Sequence, residues 1–425
     1  MEYKTRIADH ILARKLQGAG AVLIEGPKWC GKTTTAEQQA NSVIYMDNPA
    51  SRDNNIKTAL IDPSLILKGS TPRLIDEWQL APSLWDAVRF EVDHRHNEGQ
   101  FILTGSAVPL LNDEEKERMH TGTGRISRLR MYTMSLWESG DSSGEVSLKS
   151  LFEGNNPSGS TAKNLYDIAY LCCRGGWPKS ITQSEDIALD RADDYYDAIV
   201  NFDVNRLLDS NYNVERLKKL MRSYARFQGA QTSVNVITED IKAGEKDSLD
   251  SRTVQNYIDA LKMIYVIEDM SAWNPNLRSK AAIRTSNTRY FTDPSIATAS
   301  LGIGPDDLMN DLNTFGLIFE TLCVRDLRVY MQSIKGEVYH FRDSNGLECD
   351  AVLHLRNGKY ALVEIKLGGD KSIEEGAANL LKLKEKIDSE KMGNPVFMMV
   401  LTATGQYAFQ RPDGVFVVPV TTLKN

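Results

Sequence analysis

The stretch AVLIEGPKWCGKTT, at residues 21–34, decides the fold of the first part of the chain. An apolar run of strand length leads into the pattern GxxxxGKT, and a sequence compatible with a helix follows. In this setting the pattern predicts a phosphate-binding loop, and the alternative is a chance glycine-rich turn. Backbone N–H groups would face the phosphate, Lys32 adds positive charge, and the Thr33 hydroxyl can hold Mg²⁺. The residues predicted to bind the nucleotide are Gly26, Pro27, Lys28, Trp29, Cys30, Gly31, Lys32, Thr33 and Thr34.

An acidic pair follows a second apolar strand, in the stretch PRLIDEWQ at residues 72–79. Asp76 at the carboxyl end of that strand can hold Mg²⁺ through water, and Glu77 can orient or deprotonate an attacking water. Such pairs also cap the next helix in many proteins. Downstream of a phosphate loop, the pair predicts the acidic half of a nucleoside triphosphate site.

Arginines alternate in the stretch GRISRLR at residues 124–130, after two glycines. Arg125 on a mobile loop can stabilise the charge of a phosphoryl group in transfer, in its own subunit or in a neighbour. The alternative is that the arginines form the solvated face of a strand. A role in a neighbouring site would require a homo-oligomer.

The composition is that of a globular protein, with 41% hydrophobic and 25% charged residues among 425. This length suggests about two to four domains. A net charge of −7 argues against a generally basic nucleic-acid surface but allows a local basic face. Apolar runs are too short to span a bilayer and the first residues lack the core of a signal peptide, so we expect a cytoplasmic protein without a membrane partner. Five cysteines without CxxC spacing are expected to be reduced, buried thiols.

The middle of the chain is predicted to be helical. Residues 156–231 have the pattern of a helical lid, and residues 232–285 have the order helix, turn, helix and strand of a winged helix. Asp250 or Ser251 can cap the second of these helices. Its exposed side chains would read DNA, although many winged helices mediate only protein contacts. The predicted reading residues are Arg252, Gln255, Asn256 and Lys262.

The last part of the chain carries a second group of charged residues. A long helix from residue 312 precedes three strands joined by two Asn-Gly turns, which predicts a three-stranded meander. Asp350 on the middle strand and Glu364 and Lys366 on the third would meet at one edge of the sheet. Two carboxylates that hold Mg²⁺, with a lysine beside them, suit phosphodiester cleavage. Glu320 on the helix is a further candidate acid; alternatively, it pairs with a nearby arginine, Arg325 or Arg328.

Two resemblances follow from these motifs. Residues 15–140 resemble AAA-type ATPases through GPKWCGKTT, LIDEWQ and FILTGSA, and residues 310–420 resemble the PD-(D/E)xK restriction-endonuclease-like fold through Glu320, Asp350, Glu364 and Lys366. Together with GRISRLRMYTMSLWE, RGGWP and YFTDPSIA, they resemble a group of prokaryotic predicted ATPases. The resemblance implies ATP and Mg²⁺ as cofactors and Thr104 as a residue near the γ-phosphate; from residues alone, a simple Gly-Ser turn after this strand is the alternative.

These observations predict an α/β protein of four parts: a parallel-sheet P-loop AAA-type ATPase domain (1–155), a helical lid (156–231), a winged-helix-like domain (232–285) and a restriction-endonuclease-like α/β domain (286–425). The predicted function is ATP hydrolysis coupled to a nuclease-like domain that acts on DNA. The main alternative is a nucleotide-gated module that binds DNA or protein through an inactive nuclease-like domain. A weaker one is a toxin or defence component with a protein target.

Overall fold

The computed structural model describes residues 3–107, 122–207, 213–242, 249–276 and 286–425. Contacts divide the chain into two compact units. Unit 1 comprises Met1–Tyr132 and Met263–Tyr265, and unit 2 comprises Thr133–Lys262 and Val266–Asn425. Each unit is described below by itself.

Unit 1 alternates strands and helices along the chain. Its elements are α1 (Ile7–Leu16), β1 (Ala21–Glu25), α2 (Lys32–Glu37), β2 (Ser42–Tyr45), α3 (Arg52–Ile61), β3 (Arg73–Asp76), α4 (Ser83–Arg95), β4 (Phe101–Gly105) and β5 (Ile126–Arg130), with short 3-10 turns at Pro63–Leu65 and Trp78–Leu80. The five strands form one parallel sheet in the order β2-β3-β4-β1-β5. The predicted α/β fold with a parallel sheet is therefore confirmed for this unit.

The strands of unit 1 are apolar because helices cover the sheet. Leu23, Ile75 and Leu103 are almost fully buried, and Trp85 of α4 packs into the same core. Runs of buried aliphatic residues without polar alternation are typical of parallel sheets. Since the strands are parallel, their carboxyl ends share one edge, where catalytic and binding residues of such sheets gather.

Unit 2 contains a larger mixed sheet and most of the helices. Its elements are α5 (Leu136–Ser139), β6 (Val146–Ser147), α6 (Leu148–Phe152), β7 (Gly159–Ser160), α7 (Leu165–Arg174), α8 (Glu185–Ala198), α9 (Val214–Arg226), α10 (Val234–Lys242), α11 (Ser251–Met263, whose last residue groups with unit 1), β8 (Ile267–Met270), β9 (Thr288–Phe291), α12 (Pro294–Leu301), α13 (Pro305–Asn310), α14 (Leu312–Ser333), β10 (Gly336–Arg342), β11 (Glu348–Leu355), β12 (Tyr360–Lys366), α15 (Asp370–Lys386), α16 (Ser389–Met392), β13 (Met398–Thr402), β14 (Tyr407–Gln410), β15 (Phe416–Pro419) and β16 (Leu423–Lys424). The main sheet has the order β10-β11-β12-β13-β15-β14-β7.

The predicted meander is present as the antiparallel strands β10, β11 and β12. Beyond it the sheet becomes parallel, since β13 runs alongside β12 and β15 alongside β13. Helix α15 contributes Leu380 and Leu383 to the core over these strands. Helix α14 also packs on the meander and carries Glu320.

Residues 141–161, whose Ser, Gly and Asn content predicts a loop or linker that closes the first domain, contain regular elements instead. They contain β6, α6 and β7, and β6 pairs with β16 while β7 pairs with β14. The linker prediction was wrong because apolar residues within this polar stretch are buried, among them Leu151 and Phe152, whose ring meets Phe397 edge-on at 5.1 Å. Residues 133–155, assigned from sequence to the first domain, group with unit 2.

The middle region has the predicted order of elements. Helices α10 and α11 precede the antiparallel pair β8 and β9, and Asp250 Oδ1 caps α11 by accepting from the Thr253 N–H at 2.7 Å. The winged-helix assignment stays a prediction.

All five cysteines are buried free thiols, as expected. Within the described residues, no helix has the length and apolar character needed to cross a membrane.

Candidate nucleotide site and a second acidic site

The phosphate loop connects β1 to α2, and its backbone requires glycine at two positions. Gly31 has φ 99°, in the left-handed region, immediately before α2 begins. At Gly26, a Cβ atom would collide with the carbonyl oxygen of Met131, which follows β5. Both glycines of the motif are therefore required by the local geometry.

Lys32 lies within the loop and is almost fully buried. Its Nζ donates to the carbonyl oxygens of Gly26 at 2.9 Å and Pro27 at 2.8 Å. A flexible ammonium held by two carbonyl groups can exchange them for phosphate oxygens, because its charge gives a stronger bond to an anion than to a neutral oxygen. The lysine is thus placed for phosphate binding.

Thr33 and Asp76 meet at the edge of the sheet. The Thr33 hydroxyl donates to Asp76 Oδ1 at 2.8 Å, and the Thr104 hydroxyl donates to the same oxygen at 2.5 Å. Burial raises the pKa of Asp76, and the two hydroxyl donors oppose this effect. A hydroxyl and a carboxylate in contact are the hard oxygen donors that Mg²⁺ prefers, so these residues fit that ion.

Glu77 follows Asp76 with a left-handed backbone, φ 55°. Its Oε2 accepts hydrogen bonds from Gln79 Nε2 and from Ser106 Oγ, the latter at 3.1 Å. Burial raises the pKa of Glu77, and the nearby Lys32 opposes this. A carboxylate with a raised pKa is a better acceptor for a proton from water.

The part of the chain that holds these contacts matches a family model. Residues 19–139 match the family model of the AAA domain. The match and the geometry above support an AAA-type ATPase domain that binds ATP, with ATPase activity in general. Residues 165–307 and 315–423 match two domains of unknown function, DUF8612 and DUF4143.

Two relatives are similar to this chain over nearly its whole length. Uncharacterized proteins of Mycobacterium bovis (Mb2031c) and Mycobacterium tuberculosis (Rv2008c) are each 24% identical over 426 residues, which covers 99% of this chain and 84% of theirs. The Walker-type ATPase PABY2304 of Pyrococcus abyssi is 13% identical with a TM-score of 0.43, covering 71% of this chain and 98% of that one. The ORC1 protein of Aeropyrum pernix, solved with DNA, is 15% identical with a TM-score of 0.24, covering 73% and 95%. Likenesses at this level are too weak to assign a function.

Arg125 lies at the opposite edge of the AAA-type sheet from the phosphate loop. It precedes β5, whose first residue, Ile126, is in register with Ala21 at the start of β1. Five residues of strand, about 16 Å, therefore separate it from the loop. Its Nε donates to Asp93 Oδ1 of α4 at 2.8 Å, and 43% of its side chain is exposed. The fold does not bring Arg125 to the phosphates of its own subunit.

Sequence reasoning missed three residues that support the nucleotide site. Gln79 and Ser106 hold Glu77, and the buried Arg6 donates to the carbonyl oxygens of Cys30 at 2.8 Å and Tyr132 at 3.0 Å. Gln79 and Ser106 each lie two residues after a predicted site residue, Glu77 and Thr104, which is a usable signal. Arg6 precedes α1 and offers no such signal, since its partners are backbone atoms far along the chain.

The second acidic site lies in unit 2, on β11 and β12. Asp350 Oδ2 accepts from the Ile365 N–H at 2.7 Å and lies 3.3 Å from Lys366 Nζ. The same Nζ lies 2.6 Å from Glu364 Oε2. Burial raises the pKa of Glu364 to about 8, Asp350 adds to this rise, and Lys366 opposes it. The three side chains that the sequence predicts to meet at one sheet edge are therefore in contact.

Glu320 also belongs to this neighbourhood. Its Oε1 accepts from the Tyr290 hydroxyl, and burial together with the charge of Asp350 raises its pKa well above the usual value. Arg325, proposed from sequence as an alternative partner, bonds to Asp293 and Asp326 instead. The other, Arg328, donates to the Asp269 carbonyl oxygen at 3.2 Å.

Asn379 and Tyr290 are the polar residues that sequence reasoning missed here. Asn379 Nδ2 on α15 donates to Glu364 Oε1 at 2.7 Å and to the Glu348 carbonyl oxygen at 2.6 Å. Among the residues that the structure describes, no group of three or more His, Cys, Asp or Glu side chains is arranged to hold a metal ion. The metal roles of Thr33, Asp76, Asp350 and Glu364 stay predictions.

Proposed function

We propose that the protein is an ATPase that binds ATP with Mg²⁺ at the phosphate loop, hydrolyses it, and couples the cycle to a nuclease-like site that acts on DNA. The observation that carries the first part is the 2.8 Å contact between Thr33 Oγ1 and Asp76 Oδ1, with Glu77 as the next residue. A phosphate loop, a metal-binding carboxylate and a base within one buried sheet edge are the parts that phosphoryl transfer to water requires.

Each residue has a defined task in this proposal. The loop N–H groups and Lys32 hold the phosphates, and Thr33 and Asp76 hold Mg²⁺, which neutralises charge on the phosphate oxygens. Glu77 accepts the proton of the attacking water, and Gln79 and Ser106 fix the orientation of its carboxylate. Thr104, which donates to Asp76, would sense the γ-phosphate from the neighbouring strand.

A Lys32→Ala variant tests the ATPase part. Loss of the ammonium should lower ATP turnover about 100-fold or more, because phosphate charge would lose its main side-chain partner. Lys57→Ala, which removes an exposed lysine from α3 of the same unit, is the matched control. Wild-type turnover in Lys32→Ala would remove the assignment.

The nuclease part rests on Asp350, Glu364 and Lys366. The Lys366 ammonium lies 3.3 Å from one carboxylate and 2.6 Å from the other, and such a group can bind a divalent cation and stabilise charge on a cleaved phosphodiester. Glu320 is a further acid beside them, and Mg²⁺ is the ion that these oxygen donors suit. DNA is the proposed substrate of this site.

A second candidate is favoured by the position of Lys366. Its ammonium lies between the two carboxylates, 2.6 Å from Glu364 and 3.3 Å from Asp350, where a cation would bind. In this candidate the domain grips DNA or a protein without cutting it, under nucleotide control. Two of the four proposed reading residues on α11 also have acidic partners: Gln255 bonds to Asp259 and Lys262 to Asp269.

Cleavage assays separate the two candidates. Supercoiled or branched DNA is incubated with Mg²⁺ and the wild type, Asp350→Ala, Lys366→Ala, or the control Lys371→Ala, whose lysine side chain is 90% exposed. Cutting that is lost only in the first two variants supports an active nuclease site. Equal background in all four proteins supports the binding module.

A further inference from the structure

Trp29 is an unusual residue for its place in the phosphate loop. Its backbone has φ 65°, in the left-handed region that residues with bulky side chains rarely adopt. The residue is 51% exposed. Strained conformations of this kind persist where the surroundings fix them, and they concentrate at binding sites. A large exposed apolar ring in such a position points to a ligand contact.

The loop on both sides of Trp29 is held firmly. Lys32 Nζ binds the carbonyl oxygens of Gly26 and Pro27, and Arg6 donates to the carbonyl oxygen of Cys30, which is fully buried. The bond from Arg6 holds the backbone directly after Trp29 whether or not phosphate is bound, whereas phosphate oxygens would replace the two carbonyl groups at Lys32. The Trp29 residue itself is half exposed.

The chemistry of the indole selects one part of a nucleotide. The face of an aromatic ring carries partial negative charge, so it is a poor partner for phosphate and a good one for the face of a base. In a nucleoside triphosphate, only the ribose separates the base from the first phosphate. The length of the ribose is comparable to the length of a tryptophan side chain. A ring beside the phosphate loop can therefore reach the base.

We infer that Trp29 stacks on the base of the bound nucleotide and thereby favours purine nucleoside triphosphates, whose larger rings offer more stacking area. This inference rests on the proposed function, because it takes the phosphates to lie in the loop. It assigns Trp29 a role in choosing the base, which phosphate contacts cannot provide.

The test compares Mg²⁺-ATP with Mg²⁺-tripolyphosphate, which has the phosphates but no base, by calorimetry. Trp29→Ala should lose ATP affinity about 5- to 100-fold and keep its tripolyphosphate affinity. Trp29→Phe should bind ATP nearly as the wild type does. Trp29→Gly, which removes the ring at a backbone angle that suits glycine, should behave as Trp29→Ala. Phe90→Ala, which removes a 53% exposed ring from α4, is the control.

Unchanged ATP affinity in Trp29→Ala and Trp29→Gly would overturn the inference. An equal loss of affinity for ATP and for tripolyphosphate would also overturn it, because the ring would then act on the loop itself and not on the base. Failure of the wild type to bind either compound would instead refute the proposed function. Intrinsic fluorescence gives a second readout: ATP should quench the wild type more than Trp29→Ala, because of the six tryptophans only Trp29 lies in the phosphate loop.

Discussion

At the scale of single residues, the nucleotide site is organised around one oxygen atom, Asp76 Oδ1. Two hydroxyl groups, from Thr33 and Thr104, donate to it. The hydroxyls come from the phosphate loop and from the neighbouring strand, so Asp76 ties both to the end of its own strand. Binding of Mg²⁺ at Asp76 would therefore depend on the positions of the phosphate loop, β3 and β4.

Glu364 gives a pH-dependent prediction. Its pKa of about 8 lies above the usual value near 4.5, so the folded protein binds a proton that the unfolded chain releases between these values. Stability should therefore fall as the pH rises from 5 to 9. Glu364→Gln, which mimics the protonated acid, should match the wild type at pH 5 and unfold at a higher temperature at pH 9.

Thermal unfolding followed by circular dichroism, in EDTA, checks this expectation. Lys366 does not disturb the comparison. Burial lowers its pKa, but the charges of Asp350 and Glu364 raise the pKa by more, so Lys366 stays charged throughout this pH range. Glu390→Gln, at an exposed position on α16, should follow the wild type. A constant difference between wild type and Glu364→Gln across the pH range would contradict the assignment.

The positions of candidate site residues were predictable where a local pattern fixes them. The phosphate loop, Asp76, Glu77 and the group of Asp350, Glu364 and Lys366 follow from a motif or from strand alternation. Gln79 has a weak local signal, since it lies two residues after Glu77. Asn379 has none, because it acquires its role only from the Glu364 carboxylate that folding brings to it.

At the scale of elements, a buried ionic cluster joins several segments of unit 2. Arg325 of α14 lies 3.1 Å from Asp293 and 2.7 Å from Asp326, and all three are buried. Asp293 also accepts from the Thr133 hydroxyl at 2.6 Å and the Gly176 N–H at 2.9 Å. The stretches RGGWP and YFTDPSIA, which had no role from sequence, supply parts of this cluster.

Arg325→Ala should destabilise unit 2 strongly. Removing the guanidinium leaves two buried carboxylates without their charged partner, which costs about 3–5 kcal/mol in comparable cases. Urea denaturation, followed by the midpoint of the unit 2 transition, measures the loss. Arg252→Ala, at an exposed position on α11, should change stability by less than about 0.5 kcal/mol. A loss below about 1 kcal/mol for Arg325→Ala would mean that solvent or rearrangement replaces the ion pair.

Helices and strands were predictable where the pattern of apolar residues is strong. They were not predictable where a strand pairs with a partner that is distant along the chain. The parallel strands of unit 1 and the meander follow from apolar runs and Asn-Gly turns. The strands β6 and β7 have two residues each and form through pairing with β16 and β14, more than 240 positions along the chain. No local pattern contains that information, so the Ser- and Gly-rich composition of this stretch predicts a loop or linker.

At the scale of the whole molecule, the position of Arg125 predicts assembly. Because the fold places it away from its own phosphate loop, a role in phosphoryl transfer requires a second subunit. Arg125→Ala and Glu77→Gln should each be inactive alone, with losses of about 1,000-fold or more for a true arginine finger. Mixing them should restore part of the turnover, since some interfaces then combine Glu77 of one subunit with Arg125 of another.

Sizing the wild type with and without ATP gives the independent check, and an ATP-dependent oligomer is expected. Arg89→Ala, on α4 near the same Asp93, is a matched control that should retain turnover. Full turnover in Arg125→Ala, or a monomer at every ATP concentration together with normal hydrolysis, would reduce Arg125 to a surface ion pair with Asp93.

We propose that unit 1 hydrolyses ATP with Glu77 as the base. ATP binding and ATP turnover by the wild type and by Glu77→Gln, measured in Mg²⁺, test this directly. We expect equal binding and a turnover about 100- to 10,000-fold lower in the variant, because glutamine keeps the shape of the side chain but cannot accept the proton. Turnover by Glu77→Gln at the wild-type rate, or a wild type that binds no ATP, would contradict it.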